Sequence, residues 1–322
     1  MIIVTGGAGF IGSTVVSYLN EMGRDDIIIV DNLGKSDKWK NLVGKRYFEY
    51  IHKEDFIDNI SNNNLPHIDA IIHMGACSST TEVDAEYLYQ NNIQYTRILM
   101  DWAVGNKVRF IYASSAATYG DGSLGYSDKH EDINNYKPLN MYGYSKQFVD
   151  EIALRMGLTD SVCSLRFFNV YGPNEYHKGS MTSVVFNSFN QIQETGKVQL
   201  FRSYKEDYAD GEQKRDFVYV KDVAKIIWWL LKNPEINGIY NIGTGQARSW
   251  NDLARSVFKA LNLDPKIEYI DMPEHLQGKY QYFTQADNDK IMNAGWTGAF
   301  TSLEDGVEDY VQNYLVKGRR IY

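Results

Sequence analysis

A glycine-rich stretch at the start of the chain constrains the fold more than any other feature of the sequence. The apolar run 1–4 is rich in β-branched residues and short enough for a buried strand, and the glycines follow it without a spacer. Gly7, Gly9 and Gly12 match the pattern G-x-G-x-x-G, which Gly6 extends. Such glycines permit a tight turn and let the backbone touch a pyrophosphate, while the N–H groups of the following helix attract anions. The stretch predicts a strand, a turn and a helix that together bind phosphate.

An acidic residue farther along the chain favours a bound dinucleotide over a glycine turn without a ligand. The second apolar strand, 27–30, ends at Asp31, roughly 20 residues after Gly12, where an acid can bind the adenosine ribose. Lys38 in the next loop, or Lys53 after the third strand, suits a 2′-phosphate instead. These residues alone leave NAD and NADP open.

Composition and charge exclude several classes of protein. The chain has 322 residues, of which 43% are apolar and 23% charged, as is usual for a soluble globular protein with room for two lobes. A net charge of −8 disfavours nucleic-acid binding. Cys77 and Cys163 are far apart and predict neither a disulfide framework nor a metal site. No signal peptide or membrane-spanning run is evident, so we expect a cytoplasmic protein that binds no membrane.

The alternation of strand and helix patterns through residue 167 predicts an α/β fold, with a doubly wound parallel (Rossmann) sheet and helices on both faces. The regular alternation ends after residue 167. We expect a dinucleotide-binding domain at 1–170 and a smaller α/β substrate lobe at 171–322, with 215–243 returning to the larger domain. Segment 203–213 is expected to be an exposed loop or hairpin. The predicted strands of the larger domain are 1–4, 27–30, 46–51, 69–74, 108–113 and 162–167, and its later helices are 83–104 and 147–154.

Small and reactive residues follow two of the predicted strands. Ligands of a doubly wound sheet bind at the carboxyl ends of its strands. Met74-Gly75-Ala76-Cys77-Ser78 follows the fourth strand and leaves room for a cofactor, and Ser115 lies in a cluster after the fifth. Tyr142 and Lys146 are four residues apart and would share one face of a helix. We therefore expect a reacting group to meet the cofactor at this edge of the sheet.

The tyrosine and the lysine together suggest a general base. Lowering the pKa of a phenol from about 10 to about 7 requires roughly 4 kcal/mol. One unit charge at about 4 Å, with an effective dielectric near 20, supplies a similar amount, and an oxidised nicotinamide would add a second positive charge. We predict that Lys146 lowers the pKa of Tyr142. Tyr119 and Tyr144 are alternatives that spacing alone does not exclude.

Taken together, these motifs resemble the extended short-chain dehydrogenase/reductase family, which includes the NAD(P)-dependent epimerases and dehydratases. The likeness lies in 5–12, the cluster 114–120, Tyr142-x-x-x-Lys146 and Arg166-Phe167-Phe168-Asn169-Val170-Tyr171-Gly172-Pro173, and extends to 75–82, 177–181, 214–220 and 282–287. The resemblance implies a nucleotide-sugar epimerase that uses NADP, in preference to NAD, for transient oxidation at C6 of the heptose in an ADP-sugar. It also implies a role in building the lipopolysaccharide inner core, and a homo-oligomer, with a homopentamer as the expected size and one NADP per subunit.

The resemblance further assigns roles to individual residues. It implies that Tyr142 is the base, that Lys146 lowers its pKa and binds ribose, that Ser115 binds the reacting hydroxyl, and that Lys178 is a second acid/base. The implied cofactor-binding residues are Gly6, Gly9, Phe10, Ile11, Gly12, Asp31, Asn32, Lys38, Lys53, Met74, Gly75, Ala76, Cys77, Ser78, Asn91, Tyr142, Lys146, Val170 and Lys178, with Lys38 and Lys53 at the 2′-phosphate. The implied substrate-binding residues are Ser115, Asn169, Ser180, Asn187, Phe201, Arg202, Ser203, Tyr204, Arg215 and Tyr280.

Inversion at a secondary alcohol explains why two bases are expected. The carbon has no acidic hydrogen, so a base must remove the hydroxyl proton while hydride leaves, and hydride must later return to the other face of the ketone. We expect Tyr142 to serve one orientation of the oxygen and Lys178 the other. The alternative is that Lys178 only binds a substrate phosphate.

Three other functions remain as alternatives. A 4-epimerase acting on a UDP-sugar would use the same motifs. A 4,6-dehydratase needs an acid near the serine to expel water, and Ala116 and Ala117 follow Ser115 instead. A non-catalytic NADP-binding sensor would need no reactive pair, so Tyr142 and Lys146 oppose it.

Overall fold

The computed structural model describes residues 1–274 and 280–322. The strands are β1 (Ile2–Thr5), β2 (Ile27–Asp31), β3 (Glu49–His52), β4 (Ala70–His73), β5 (Arg109–Ser115), β6 (Val162–Phe167), β7 (Asn169–Tyr171), β8 (Val198–Phe201), β9 (Lys214–Tyr219), β10 (Gly238–Ile242), β11 (Ala247–Ser249) and β12 (Ile267–Ile270). The α-helices are α1 (Phe10–Glu21), α2 (Lys53–Ser61), α3 (Ala85–Leu88), α4 (Tyr95–Gly105), α5 (Met141–Arg155), α6 (Val184–Thr195), α7 (Val220–Lys232), α8 (Trp250–Ala260), α9 (Asp289–Asn293) and α10 (Leu303–Tyr310).

Over the described residues, the main sheet has seven parallel strands in the order β10-β6-β5-β4-β1-β2-β3. The chain moves outward from β1 to β3 and then returns to the other side of β1 at β4. Ligands of doubly wound sheets bind at such a reversal of strand order. Helices cover both faces of the sheet, so the inner strands are largely buried, as in β2, where all five residues are buried. The predicted Rossmann-like α/β fold is confirmed.

Two hydrophobic clusters cover the faces of the main sheet. On one face, Val15 and Leu19 of α1 pack with Ile226 and Leu230 of α7. On the other face, α2, α4 and α5 contribute a second buried cluster. Both faces are thereby closed to water, which leaves the strand ends as the place for ligands.

A smaller layer lies beyond β6. Strands β7, β9 and β11 form a three-stranded sheet, and β8 pairs with β12. Helices α6, α8 and α10 pack around a separate cluster that includes Phe186, Phe258 and Val307. Within segment 215–243, α7 and β10 lie on the main sheet, whereas β9 lies in the three-stranded sheet.

Two helices differ from their predicted bounds near the strand ends. Helix α5 begins at Met141 rather than at residue 147, because the Asn140 side chain accepts a hydrogen bond from Gly143 N at 2.8 Å and caps the helix. The helix predicted at 83–104 contains a π-helical stretch, Tyr89–Gln94, between α3 and α4. Such stretches are rare and often lie at functional sites. Segment 203–213 is a loop, as expected.

Candidate active site

The glycine turn is fixed by close backbone contacts. Gly6 has a φ of 65°, and Gly9 N donates to Gly6 O at 2.9 Å just before α1 begins. A Cβ on Gly12 would lie 2.1 Å from Gly6 O, and one on Gly6 would lie 2.7 Å from Gly75 N. Only glycine fits there, so the backbone at the start of α1 remains open to a phosphate group.

A groove follows the carboxyl ends of β1, β2 and β4. It consists of a cavity of about 1100 Å³ beside the glycine turn and a neighbouring one of about 620 Å³, which share Gly6, Asp31 and Lys38. All the predicted cofactor residues except Tyr142, Lys146 and Val170 line one or both. The structure therefore brings this set together, and its form suits a dinucleotide.

Asp31 accepts hydrogen bonds from three donors. These donors matter because a carboxylate suits a ribose hydroxyl but repels a 2′-phosphate. One carboxylate oxygen accepts from Ala8 N at 2.8 Å, and the other accepts from Asn32 N at 2.7 Å and from Lys38 Nζ at 2.6 Å. Lys53 lines the same cavity, where its Nζ donates to Asn91 Oδ1 at 3.1 Å. Lys38 thus balances the charge of Asp31, and Lys53 adds a further cation at this end of the groove.

Tyr142, Ser115 and Lys146 lie where α5 meets the end of β5. The Lys146 Nζ donates to Ala113 O at 2.9 Å, and burial lowers its pKa to about 8. Burial also raises the pKa of Tyr142, with the Ser115 hydroxyl acting in the opposite direction and Cys77 adding to the rise.

This direction differs from the predicted lowering of the pKa of Tyr142. The Lys146 ammonium, which we expected beside the phenol, is hydrogen-bonded to the carbonyl of Ala113. Desolvation of the phenol therefore exceeds what the chain's own charges provide. Only a bound cofactor would add the positive charge of oxidised nicotinamide, which lowers the pKa of Tyr142.

Lys178 approaches the groove from a different element. It lies in the loop after β7, with its Nζ 5.3 Å from the centre of the Phe10 ring, and lines the larger cavity together with Cys77. Burial lowers the pKa of Lys178, and Glu175 opposes the shift. Cys77 lines the same cavity as Lys178 and also acts on the phenol of Tyr142, which itself lines neither cavity.

Part of the predicted substrate set forms an aromatic cluster in the smaller layer. The Arg215 guanidinium lies 5.2 Å from the ring of Tyr280 and 5.6 Å from that of Trp250. Tyr280 Oη accepts from Trp250 Nε1 at 2.8 Å, and Phe201 packs edge-on against Tyr280 at 6.4 Å. Arg215 is buried, which lowers its pKa. A partly desolvated cation among aromatic rings can bind a phosphate and stack a base.

The other predicted substrate residues are more dispersed. Asn187 is hydrogen-bonded to Thr182 through both ends of its amide. Arg202 is exposed and its Nε lies 3.9 Å from Asp271. Asn169, Ser180 and Tyr204 are exposed, and Ser203 N donates to Asp210 at 2.8 Å. In this structure, Asn187 and Arg202 are bound to neighbours rather than directed together with Arg215.

Comparison with known proteins supports this geometry. Residues 2–243 match the NAD dependent epimerase/dehydratase family. The chain belongs to this family. It is 58% identical to an ADP-L-glycero-D-manno-heptose-6-epimerase of Nitratidesulfovibrio vulgaris, over 98% of both chains, and 52% identical to the enzyme of that name from Fusobacterium nucleatum, again over 98% of each. The crystal structure of the Helicobacter pylori enzyme of that name has a TM-score of 0.82 and 31% identity, covering 97% of this chain and 95% of that one.

Two polar residues of this epimerase/dehydratase chain support the groove although the sequence argument overlooked them. Asn92, in the π-helical stretch, accepts from Cys77 N at 2.8 Å and donates to Cys77 O at 3.0 Å, which fixes the loop after β4. His73 on β4 bridges Thr5 at 2.6 Å and Thr96 at 2.9 Å. The sequence offered two signals for these residues: Asn92 lies within a helical pattern, and His73 ends an apolar strand.

The described residues add two observations about the classes considered above. No helix among them is long and apolar enough to span a membrane. No cluster of three or more His, Cys, Asp or Glu side chains among them could hold a metal ion.

Proposed function

We propose that this chain interconverts ADP-D-glycero-D-manno-heptose and ADP-L-glycero-D-manno-heptose by transient oxidation at C6. The observation that carries the proposal is a dinucleotide groove lined by Lys178, from the loop after β7, and by Cys77, which acts on the phenol of Tyr142 beside Ser115. The names of the relatives at 58% and 52% identity over nearly the full length support the same substrate.

In the proposed mechanism, each side chain has a separate task. A nicotinamide held in the groove would supply reversible transfer of hydride. Tyr142 accepts the proton of the C6 hydroxyl, and Ser115 hydrogen-bonds the same oxygen. Lys146 holds the ribose and, with a pKa of about 8, remains mostly protonated at neutral pH.

Lys178 acts when the ketone presents its other face. The ketone oxygen then lies on the opposite side of the groove from Tyr142, so a second group must provide the proton that this oxygen accepts. Burial lowers the pKa of Lys178, which eases donation of its proton to that oxygen. A single rigid base would reach only one of the two positions.

We further propose NADP as the cofactor, held at its 2′-phosphate by Lys38 and Lys53. The pairing of Lys38 with Asp31, which is 6% exposed, reduces the repulsion that a lone carboxylate would exert on a phosphate. Residues 1–170 would form the cofactor domain, with 215–243 returning to it, and the rest of 171–322 would bind the substrate. A cytoplasmic homo-oligomer that supplies heptose for the lipopolysaccharide inner core completes the proposal, and sedimentation analysis tests the pentamer.

The decisive experiment uses ADP-D-glycero-D-manno-heptose deuterated at C6. We expect the purified protein to form the C6 epimer with the label retained, because the hydride that leaves is the one that returns. A change at C4 would identify a 4-epimerase, loss of water a dehydratase, and no turnover a sensor. Loss of the label to solvent would contradict the hydride mechanism.

A further inference from the structure

A fully buried ion pair lies behind the catalytic helix. Asp150 of α5 and Arg166 of β6 have no exposed side-chain surface, and Arg166 Nε donates to Asp150 Oδ2 at 2.9 Å. A buried ion pair is often no more stable than apolar residues of the same volume, because desolvation offsets the attraction. Stability alone is therefore a weak explanation for these charges.

Hydrogen bonds join Asp150 to the strand that carries Ser115. Its carboxylate accepts from the Tyr112 hydroxyl at 3.0 Å and from the Ser114 hydroxyl at 2.9 Å, both on β5. The Ser164 hydroxyl of β6 adds a third bond at 2.7 Å. Asp150 is thus fixed to two neighbouring strands, directly beside Ser115.

The same carboxylate lies on the helix that carries the reactive pair. Asp150 follows Lys146 by one helical turn and Tyr142 by two, so the three residues share a face of α5. Any shift of Asp150 relative to β5 would change the position of Tyr142 relative to Ser115. Small displacements of reacting groups reduce rates strongly.

We propose that Asp150 is a positioning residue, which locks α5 to β5 and places a negative charge one helical turn from the buried Lys146. This inference rests on the proposed roles of Tyr142, Ser115 and Lys146. It adds a residue that lies behind the site and acts through its neighbours.

The charges around both groups agree with this role. At Lys146, burial lowers the pKa to about 8, while Asp150 and Cys77 raise it. His73 on β4 also faces Lys146, and its pKa, lowered to about 3 by burial, leaves it neutral. Arg166 lies 5.0 Å from the Tyr119 ring and 5.9 Å from that of Tyr136. Other charged or titratable groups that interact with Arg166 are Asp128, His130 and Lys290.

The test is Asp150→Asn in the full-length protein. The pKa of Lys146 is measured by NMR titration of the lysine Cε signals, with the Lys146 signal assigned by its loss in Lys146→Met. We expect the pKa of Lys146 to fall by about one unit, because the larger of the two charges that raise it is removed. The alkaline limb of the pH profile of kcat should move to lower pH by the same amount.

Two further variants separate charge from structure. Ser164→Ala removes one hydrogen bond to Asp150 but no charge, so the pKa of Lys146 should not change. If Asp150→Asn does not fold because Arg166 is left unpaired, Asp150→Asn with Arg166→Met is used, and a smaller fall in the same direction is expected.

An unchanged pKa of Lys146 in a folded variant lacking Asp150 would overturn the proposal, as would an equal fall in Ser164→Ala. The NMR titration needs no turnover. If the wild-type protein does not epimerise the heptose but the pKa of Lys146 falls as expected, the proposed function fails and the role of Asp150 stands.

Discussion

The cofactor end of the site is formed mainly by backbone, whereas the sugar-nucleotide end is formed by side chains from distant segments. At the cofactor end, a Cβ on Gly6 would meet the loop after β4, and one on Gly12 would meet Gly6 within the turn. Asp31 then joins the turn to β2 through Ala8 N. These contacts involve residues that are close in sequence or on paired strands.

At the other end, Arg215 of β9 lies against Trp250 of α8 and Tyr280 in the segment after the undescribed residues. Phe201 adds a fourth element, β8. No short motif links these positions, and their meeting depends on how the smaller layer packs. Local backbone contacts therefore determine the cofactor end of the site, whereas tertiary packing determines the sugar-nucleotide end.

The largest expected effect is the loss of NADP affinity when the glycine turn at the cofactor end is disrupted. Gly12→Ala places a Cβ 2.1 Å from Gly6 O, so the turn must open and its N–H groups must move from the pyrophosphate. We expect at least a 1000-fold loss of NADP affinity, which corresponds to about 4 kcal/mol, measured by calorimetry. Gly105→Ala at the end of α4, where a Cβ meets nothing within 4 Å, is the control and should bind normally.

The next effect lies where the two ends meet. Tyr142→Phe removes the proposed base, and we expect kcat to fall by about 10³, the usual range for general base catalysis, with NADP affinity nearly unchanged. Lys178→Met should lower kcat by about 10² on the same grounds. Stopped-flow measurement of NADPH formation separates chemistry from binding. Near-normal turnover of Lys178→Met would leave that lysine as a phosphate ligand.

The same contrast explains which parts of the fold the sequence predicted. Continuous apolar strands and the glycine turn identified the Rossmann sheet, because both signals are local. The start of α5 was placed six residues late, since the cap made by Asn140 was not recognised. The π-helical stretch at Tyr89–Gln94 was missed, and within it Asn92 makes a tertiary contact with the loop after β4 that no local pattern indicates.

The site divides in a similar way. The spacing of Tyr142 and Lys146 placed them on one helix, yet it did not reveal that Lys146 Nζ binds Ala113 O, so the direction of the pKa shift of Tyr142 was wrong. Burial dominates that shift, and burial depends on the whole fold. Asp150 carried no sequence signal, because an acid on a helix is usually exposed.

A smaller effect is expected at the substrate end. Arg215→Gln removes a buried cation that we propose binds the diphosphate, and KM for the ADP-sugar should rise about 30-fold, or about 2 kcal/mol, with NADP affinity unchanged. Arg202→Gln is the comparison, because that side chain is exposed and paired with Asp271. Steady-state kinetics that showed the larger rise for Arg202→Gln would place the diphosphate away from the aromatic cluster.

The smallest expected effect concerns the ion pair of Lys38 and Asp31, which is an interaction between side chains at the cofactor end. Lys38→Met leaves the backbone turn intact but removes the cation paired with Asp31 at 2.6 Å. A 2′-phosphate then faces a carboxylate that only backbone N–H groups offset, so NADP affinity should fall about 10-fold, or about 1.4 kcal/mol. NAD has no such phosphate, and its affinity should change less than twofold.

Lys40→Met removes an equal charge two residues away, from an exposed lysine paired with Asp37, and serves as the control. Titration of both cofactors at two salt concentrations measures the ratio of affinities directly, because screening weakens exposed charges more than the half-buried Lys38. Equal losses for NADP and NAD in Lys38→Met would mean that this lysine holds the turn through Asp31. Lys53 would then be the remaining cation for a 2′-phosphate.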